Sequence, residues 1–197
     1  MTALDDFLRA CEAEIARRLP HAAVKQTELA AGHAAFSAAL DASEPIEGER
    51  TAIPVADHLD ALAATPLAAA AQAAAAELSW VPSTRLDDDD AGAEAGLAPL
   101  NDVRTLPGTL CGLMLLRPDG TYPLHSHPPQ ELYLPISGEG QWRFGGSTDF
   151  RSLGSDELVY NHPNDVHSVV AGDEPLLALY ILWGDGLRHE GWAQDGA

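Results

Sequence analysis

Lysine occurs once in this chain, at Lys25, and cysteine only twice, at Cys11 and Cys111. Basic residues number 11 against 30 acidic ones, a formal net charge of −19 over 197 residues. A field of that sign repels phosphate backbones and anionic lipid, so nucleic acid and membrane surfaces are excluded as expected partners. Two cysteines far apart in sequence make no disulfide framework, and Cys111, inside the apolar run Leu110 to Leu116, reads as a small core residue. No uncharged run of membrane-spanning length occurs, and the start MTALDDFLRACEAEIARRL places acids where a secretory leader needs a basic start and an apolar run. A cytoplasmic protein is expected. What is present, 46% hydrophobic and 21% charged residues, suits one main folded domain with additions.

The first half reads as helices. Leu4, Phe7, Leu8, Cys11, Ile15 and Leu19 recur at spacings of three and four, with Thr2 and Asp5 at the start and Pro20 at the end. A second helix is expected over about 22–40, with Val24, Leu29, Phe36 and Leu40 as its larger apolar groups, and a short one over 54–64. The Thr65–Pro66 pair then starts an Ala-rich helix to about Ser79. His21, His33 and His58 have no clustered partners and read as incidental. The Asp87–Asp90 run lacks the alternating oxygen ligands and closing Glu of a calcium loop and reads as a solvated connection.

From about Thr109 the pattern changes to short strands and turns. Strands are expected at 110–116, 131–136, 141–144, 158–160, 167–170 and 176–183, spaced as in an all-β sandwich or barrel. On the last of them Leu177, Leu179, Ile181 and Trp183 share one face, with Tyr180 and Leu182 opposite. The expected architecture is α+β: a helical N-terminal region, 1–100, packed on a β-barrel, 101–197.

The segment GTYPLHSHPPQELYLPISG, residues 120–138, carries the chemistry. His125 and His127 point to one side of an extended strand. After the Pro128–Pro129 bend, Glu131 and Tyr133 share a face, with Leu132 and Leu134 on the other. Imidazole and carboxylate converging over apolar backing suit a divalent metal, and mixed N/O donors leave Zn, Fe, Mn, Co and Ni open. A fourth ligand must come from a later strand, with His167 the first choice and His162 the alternative. Surface histidines in an extended turn would give the same HxH spacing by chance.

HSHPPQELYLPISG resembles the first motif of the cupin superfamily: HxH, three residues, Glu, six residues, then Gly138. Asn161 to His167 resembles a weaker second motif with His167 as the last ligand. The wider set Tyr122, His125, His127, Glu131, Tyr133 and His167, after a helical N-terminal part in a chain of about 200 residues, is similar to the cupin dimethylsulfoniopropionate lyases of the DddQ type. The resemblance implies an antiparallel double-stranded β-helix and one divalent transition metal per chain, Zn, Fe or Mn, held by His125, His127, Glu131 and His167. It implies no organic cofactor. It makes Tyr133 and Tyr122 the candidate base and substrate-positioning groups, Tyr133 first.

The implied reaction is a carbon–sulfur lyase step. Proton loss beside the carboxylate of a small zwitterionic sulfonium expels dimethyl sulfide and leaves acrylate. Trp183, Tyr160, Trp142 and Tyr180 are the aromatic candidates for contact with the sulfonium, core packing being the competing reading for Trp142 and Trp183. A different metal-dependent cupin enzyme, a dioxygenase or isomerase, and a noncatalytic small-molecule-binding cupin are the alternatives. A monomer or homodimer is expected.

Overall fold

The computed structural model describes residues 2–22, 25–51, 56–82, 95–154 and 156–187. Val24, the Asp87–Asp90 run, His189 and Trp192 lie outside them. Among the described residues four α-helices come first: α1 (Ala3–Arg18), α2 (Gln26–Asp41), α3 (Ala56–Asp60) and α4 (Pro66–Ala74). At the start of α1 the Thr2 side chain accepts from the Asp5 N–H, and the Asp5 carboxylate accepts from the Thr2 N–H. This reciprocal cap satisfies donors that a first helical turn leaves unpaired. Pro20 then closes the helix in a 3₁₀ turn, Leu19–His21. The Thr65 hydroxyl caps α4 by accepting from the Ala68 N–H. α4 ends at Ala74 and not at Ser79, because a 3₁₀ turn, Ala75–Glu77, takes over. Its buried face is Ala68, Ala71 and Ala74, which lets it lie close against α1.

Ten strands follow among the described residues: β1 (Val81–Pro82), β2 (Ala95–Pro99), β3 (Thr109–Leu116), β4 (Thr121–His125), β5 (Gln130–Ser137), β6 (Gly140–Arg143), β7 (Arg151–Leu153), β8 (Val159–Asn161), β9 (His167–Ala171) and β10 (Leu176–Trp183). They form two sheets, β1-β2-β3-β10-β5-β8 and β4-β9-β6-β7, with antiparallel pairing throughout. The six sequence-predicted strands are all present. β1, β2, β4 and β7 lie outside that set: β1 is two residues long, β2 (AGLAP) has the Gly and Pro of a loop, β4 carries Pro123 and is read only as the extended stretch at His125, and β7 buries only Leu153. Since β1 and β2 pair into the large sheet, that sheet begins before residue 101.

The large sheet is buried on both faces, which is why TLCGLMLL, ELYLPI and LLALYILW read as nearly continuous apolar runs. One face carries Leu113, Leu115, Leu132, Leu134, Leu177, Leu179, Ile181 and Trp183 and packs with Phe7, Ile15, Leu29 and Phe36 of the helices. The other carries Met114, Leu116, Tyr133, Ala178 and Leu176 and fills the barrel with Tyr122, Trp142, Leu153 and Val169. At the β5–β6 turn Gly138 adopts φ 82°, and a Cβ there would meet the Pro175 carbonyl oxygen at 2.3 Å. The last motif glycine is thus a turn requirement. No helix among the described residues is long and apolar enough to cross a membrane.

Candidate metal centre

The barrel end at β4, β5 and β9 gathers three buried histidines. His125 closes β4, His127 lies in the loop that follows, and His167 opens β9 opposite His125 in register. One ligand atom from each lies within 4.8 Å of the others. Each ring is oriented by its own backbone neighbourhood. His125 Nδ1 donates to the Pro123 carbonyl at 2.8 Å, His127 Nδ1 to the Pro129 carbonyl at 2.9 Å, and His167 Nδ1 to the Asp165 carbonyl at 2.8 Å. A carbonyl oxygen can only accept, so Nδ1 carries the proton and, in the neutral ring, Nε2 carries the lone pair. Three ring nitrogens therefore present lone pairs at one end of the barrel, the tautomer a metal ligand needs.

Glu131, on β5 and also buried, completes the set. Its Oε2 lies 3.2 Å from His127 Nε2 and 3.1 Å from His167 Nε2, and it accepts from Asn161 Nδ2 at 2.8 Å. Burial alone would push the Glu131 carboxyl up; His127 and His167, when protonated to imidazolium, outweigh it and hold the carboxyl well below the usual carboxylate range. His167 Nε2 is buried with no hydrogen-bond partner. A carboxylate facing imidazole lone pairs, one of them unused, is a donor set satisfied by a cation, either a proton or a metal ion. The residues therefore fit one divalent transition metal.

A local irregularity brings Tyr122 to the same space. In β4, Tyr122 pairs with Val169 and His125 with His167, so two residues of one strand, Pro123 and Leu124, oppose one of the other, Ser168. The extra residue falls at Pro123 and Leu124, where Pro123 has no N–H to give the ladder. Without this bulge Tyr122 and His125 would face opposite ways; with it both enter the barrel, their rings edge to face at 4.9 Å. Tyr133 follows Glu131 by two residues on β5 and shares its face.

These side chains line a cavity of about 240 Å³. Tyr122, His125, His127, Glu131, Tyr133 and Tyr180 form its polar side, with Met114, Leu97, Leu110 and Leu182 as apolar wall. Val81, Pro99, Asn101 and Asp102 also border it. That rim went unread in the sequence because it comes from the short, irregular β1, β2 and the 3₁₀ turn Leu100–Asp102. Cys111 borders the cavity too, its thiol pushed up by burial to about 12 and so protonated. Burial, with Tyr122, Cys111, Glu131 and Asp102 nearby, pushes the Tyr180 phenol far above its usual value.

Of the four aromatic candidates, only Tyr180 borders the cavity. Trp183 is corrected to the helix side of the large sheet, because its parity face is the one that packs on α2, where a Cβ on Gly32 would stand 2.7 Å from the indole. Trp142 is buried in the barrel core against Tyr133, ring centroids 5.0 Å apart. Tyr160 faces a separate outer groove of about 330 Å³ and donates to Gln130. His162, the alternative last ligand, borders the same outer groove and packs on Tyr160 at 4.8 Å.

Residues 97–178 match the family model described as dimethylsulfoniopropionate lyase. The chain is 31% identical over 78 residues to the dimethylsulfoniopropionate lyase DddQ of Ruegeria pomeroyi, covering 39% of this chain and 38% of that protein's length. The fold superposes on the crystal structure of DMSP lyase DddQ from Ruegeria pomeroyi DSS-3 with a TM-score of 0.65 at 22% identity, covering 88% of this chain and 92% of that one. A second chain, from crystal structures of the DMSP lyases RdDddP and RnDddQII, gives a TM-score of 0.64 at 19% identity, over 91% and 95% of the two chains. The fold is thus a cupin barrel behind a helical layer, and the family that its barrel segment matches is that of the dimethylsulfoniopropionate lyases.

Proposed function

We propose that this protein is a metal-dependent carbon–sulfur lyase that converts dimethylsulfoniopropionate to acrylate and dimethyl sulfide. The observation that carries the reading is the cavity of about 240 Å³ on which His125, His127 and Glu131 meet Tyr122 and Tyr133, with His167 clustered behind them on His125, His127 and Glu131. This space admits a small zwitterion.

His125, His127, Glu131 and His167 would hold one Zn, Fe or Mn ion. Bound there, the ion supplies positive charge that stabilises electron density building on the substrate carboxylate. The chain's own residues do the rest. A tyrosine, Tyr133 first and Tyr122 as the alternative, removes the proton on the carbon beside the carboxylate. The C–H electron pair becomes the new C=C bond, and the C–S pair leaves with sulfur as neutral dimethyl sulfide. The other product is acrylate, so no electrons are gained or lost overall. A phenol of ordinary pKa ~10 is a weak base near neutrality, and cationic surroundings favour its phenolate. Tyr180, held protonated by burial, does not compete as base and offers the substrate a hydroxyl and an aromatic face.

The test is to reconstitute metal-stripped protein with Zn, Fe or Mn and follow acrylate by proton NMR, with and without oxygen. Equal anaerobic and aerobic rates support elimination. Strict oxygen dependence, or no turnover with any of the three ions, removes the proposal. The division into a helical N-terminal region, 1–100, and a barrel, 101–197, with β1 and β2 reaching from the first part into the sheet, the cytoplasmic location and the monomer or homodimer state belong to the same reading; limited proteolysis, cell fractionation and analytical ultracentrifugation test them.

A further inference from the structure

We infer that Asn161 is the positioning residue of this metal centre: its side-chain amide fixes the Glu131 carboxylate for ligation, and Asn161 acts on the site only through Glu131. The inference deepens the proposed function and rests on its metal reading. Asn161 ends β8, at the edge of the large sheet, directly across from Glu131 in register. Its Nδ2 donates to Glu131 Oε2 at 2.8 Å, the shortest of the three nitrogen approaches to that oxygen. Both residues are buried, at 2% and 3% exposure, so water does not compete for the contact.

The chemistry of the three nitrogens separates them. With Nδ1 of His127 and of His167 already donating to carbonyls, their Nε2 atoms bring a hydrogen only if the rings become imidazolium. The Asn161 amide is the one nitrogen at Oε2 that brings a hydrogen in every protonation state. Its orientation is fixed by the same contact, since a flipped amide would set Oδ1 against Oε2, two acceptors facing each other. Oδ1 is buried without a hydrogen-bond partner, so no competing partner selects this rotamer and the Glu131 contact alone does. An unsatisfied carbonyl kept in a buried position is the kind of local cost that marks a functional site. Ligand carboxylates held by such outer contacts keep their aim, and removing the contact commonly costs ~10- to 100-fold in metal affinity.

The test is a double-mutant cycle on metal affinity, read with no catalysis involved. Metal-stripped wild type, Asn161→Ala, Glu131→Ala and the double variant are titrated with Zn²⁺ against a chromophoric chelator, and circular dichroism melts of the metal-free proteins check folding. Asn161→Leu, which keeps the volume without a donor, replaces Asn161→Ala if the latter melts early. Asn161→Ala is expected to weaken Zn²⁺ ~10- to 100-fold when Glu131 is present and by no more than about twofold in the Glu131→Ala background. Equal losses in both backgrounds would show a general packing role and overturn the inference, as would unchanged affinity in both. If wild type binds no Zn²⁺, Mn²⁺ or Fe²⁺, the metal reading falls and takes the inference with it; tight wild-type binding that is indifferent to Asn161 sinks the inference alone.

Discussion

A Cβ on Gly112 would stand 2.2 Å from the hydroxyl oxygen of Tyr180, so the Tyr180 side chain occupies space that any other residue at this point of β3 would claim. The two are partners in register, and Tyr180 is in turn the partner of Tyr133. Gly112, Tyr180 and Tyr133 thus form one row across the sheet, two residues along from the row of Leu110, Leu182 and Glu131. The width of the cavity at the tyrosine row is set by a residue with no side chain. Gly112→Ala should push the Tyr180 ring into the cavity while leaving the histidines in place. Zn²⁺ affinity is expected within about twofold of wild type, and kcat/KM for dimethylsulfoniopropionate about 10- to 100-fold lower, the usual effect of misplacing groups by about an ångström. Steady-state kinetics beside metal titration check this; unchanged kinetics would mean that the ring has room to move aside.

Tyr133→Phe and Tyr122→Phe each remove one hydroxyl and keep the ring, so they separate chemistry from packing. General-base groups contribute ~10²–10⁴-fold. A loss of that size in kcat is expected for Tyr133→Phe, with retained metal and an unchanged melting temperature. A severe loss in Tyr122→Phe beside a mild one in Tyr133→Phe would move the base to Tyr122, whose ring lies against His125. Near-native rates in both would remove the tyrosine-base mechanism.

The parts legible in the sequence are those whose geometry is local. His125, His127 and Glu131 fall within seven consecutive residues, and alternation on β5 places Glu131 and Tyr133 opposite Leu132 and Leu134, as the burial pattern has it. Tyr122 reaches the site through a bulge, which alternation alone does not foresee; Pro123 was the available signal. Asn161 matters through its partner across the sheet, and no spacing within one strand encodes that. Trp183 was assigned to the right face of β10, but parity does not say which face meets the helices. The answer lay in α2, where Gly32 sits mid-helix at a cost of ~1 kcal/mol relative to Ala.

That cost gives a prediction. A Cβ on Gly32 would stand 2.7 Å from the Trp183 ring, so Gly32→Ala should destabilise despite the better helix propensity. Overpacking of this kind costs ~1–3 kcal/mol; after the propensity gain of ~1 kcal/mol is set against it the net loss is up to about 2 kcal/mol, which for a chain of this size lowers the melting temperature by up to about 8 °C. Differential scanning calorimetry reads it, and a variant melting above wild type would contradict the packing described here.

Glu14 and Arg18 tie the helices to the barrel. Arg18, buried, donates to the Glu14 carboxylate at 2.7 Å and to the carbonyls of Pro135 at 2.9 Å and Glu157 at 3.3 Å. The Arg17 hydrogen bond, then that of Arg18, holds the Glu14 carboxyl at about 2, below its ordinary 4.5, against the opposing effect of burial. A carboxyl depressed on folding stabilises the folded state in full above its unfolded value, and the contribution is lost as pH falls from about 4.5 towards 2. Between pH 5 and pH 3 the melting temperature of metal-free wild type should therefore fall further than that of Glu14→Gln. Parallel curves for the two proteins would show that Glu14 carries none of the acid sensitivity.

The identity of the last histidine ligand separates two readings that the sequence left open. His162 and His167 are five residues apart, but the turn between them, closed by the Asp165 N–H on the His162 carbonyl, sends the two rings to different places. His162 meets Tyr160 edge to face at the outer groove, whereas His167 lies in the cluster with its ring centroid 4.2 Å from that of His125. The Nε2 of His167 is buried, makes no hydrogen bond and lies 3.1 Å from Glu131 Oε2, so on the proposed metal reading replacing it would remove a ligand, while replacing His162 would remove a contact at the outer groove. His167→Ala and His127→Ala should each lose at least about 100-fold in Zn²⁺ affinity, at or above the scale of outer-contact losses. His162→Ala and His21→Ala should stay within a few-fold of wild type. Competition titration of the four variants decides it, and a His167→Ala protein that keeps near-native affinity while His162→Ala loses metal would hand the ligand role to His162.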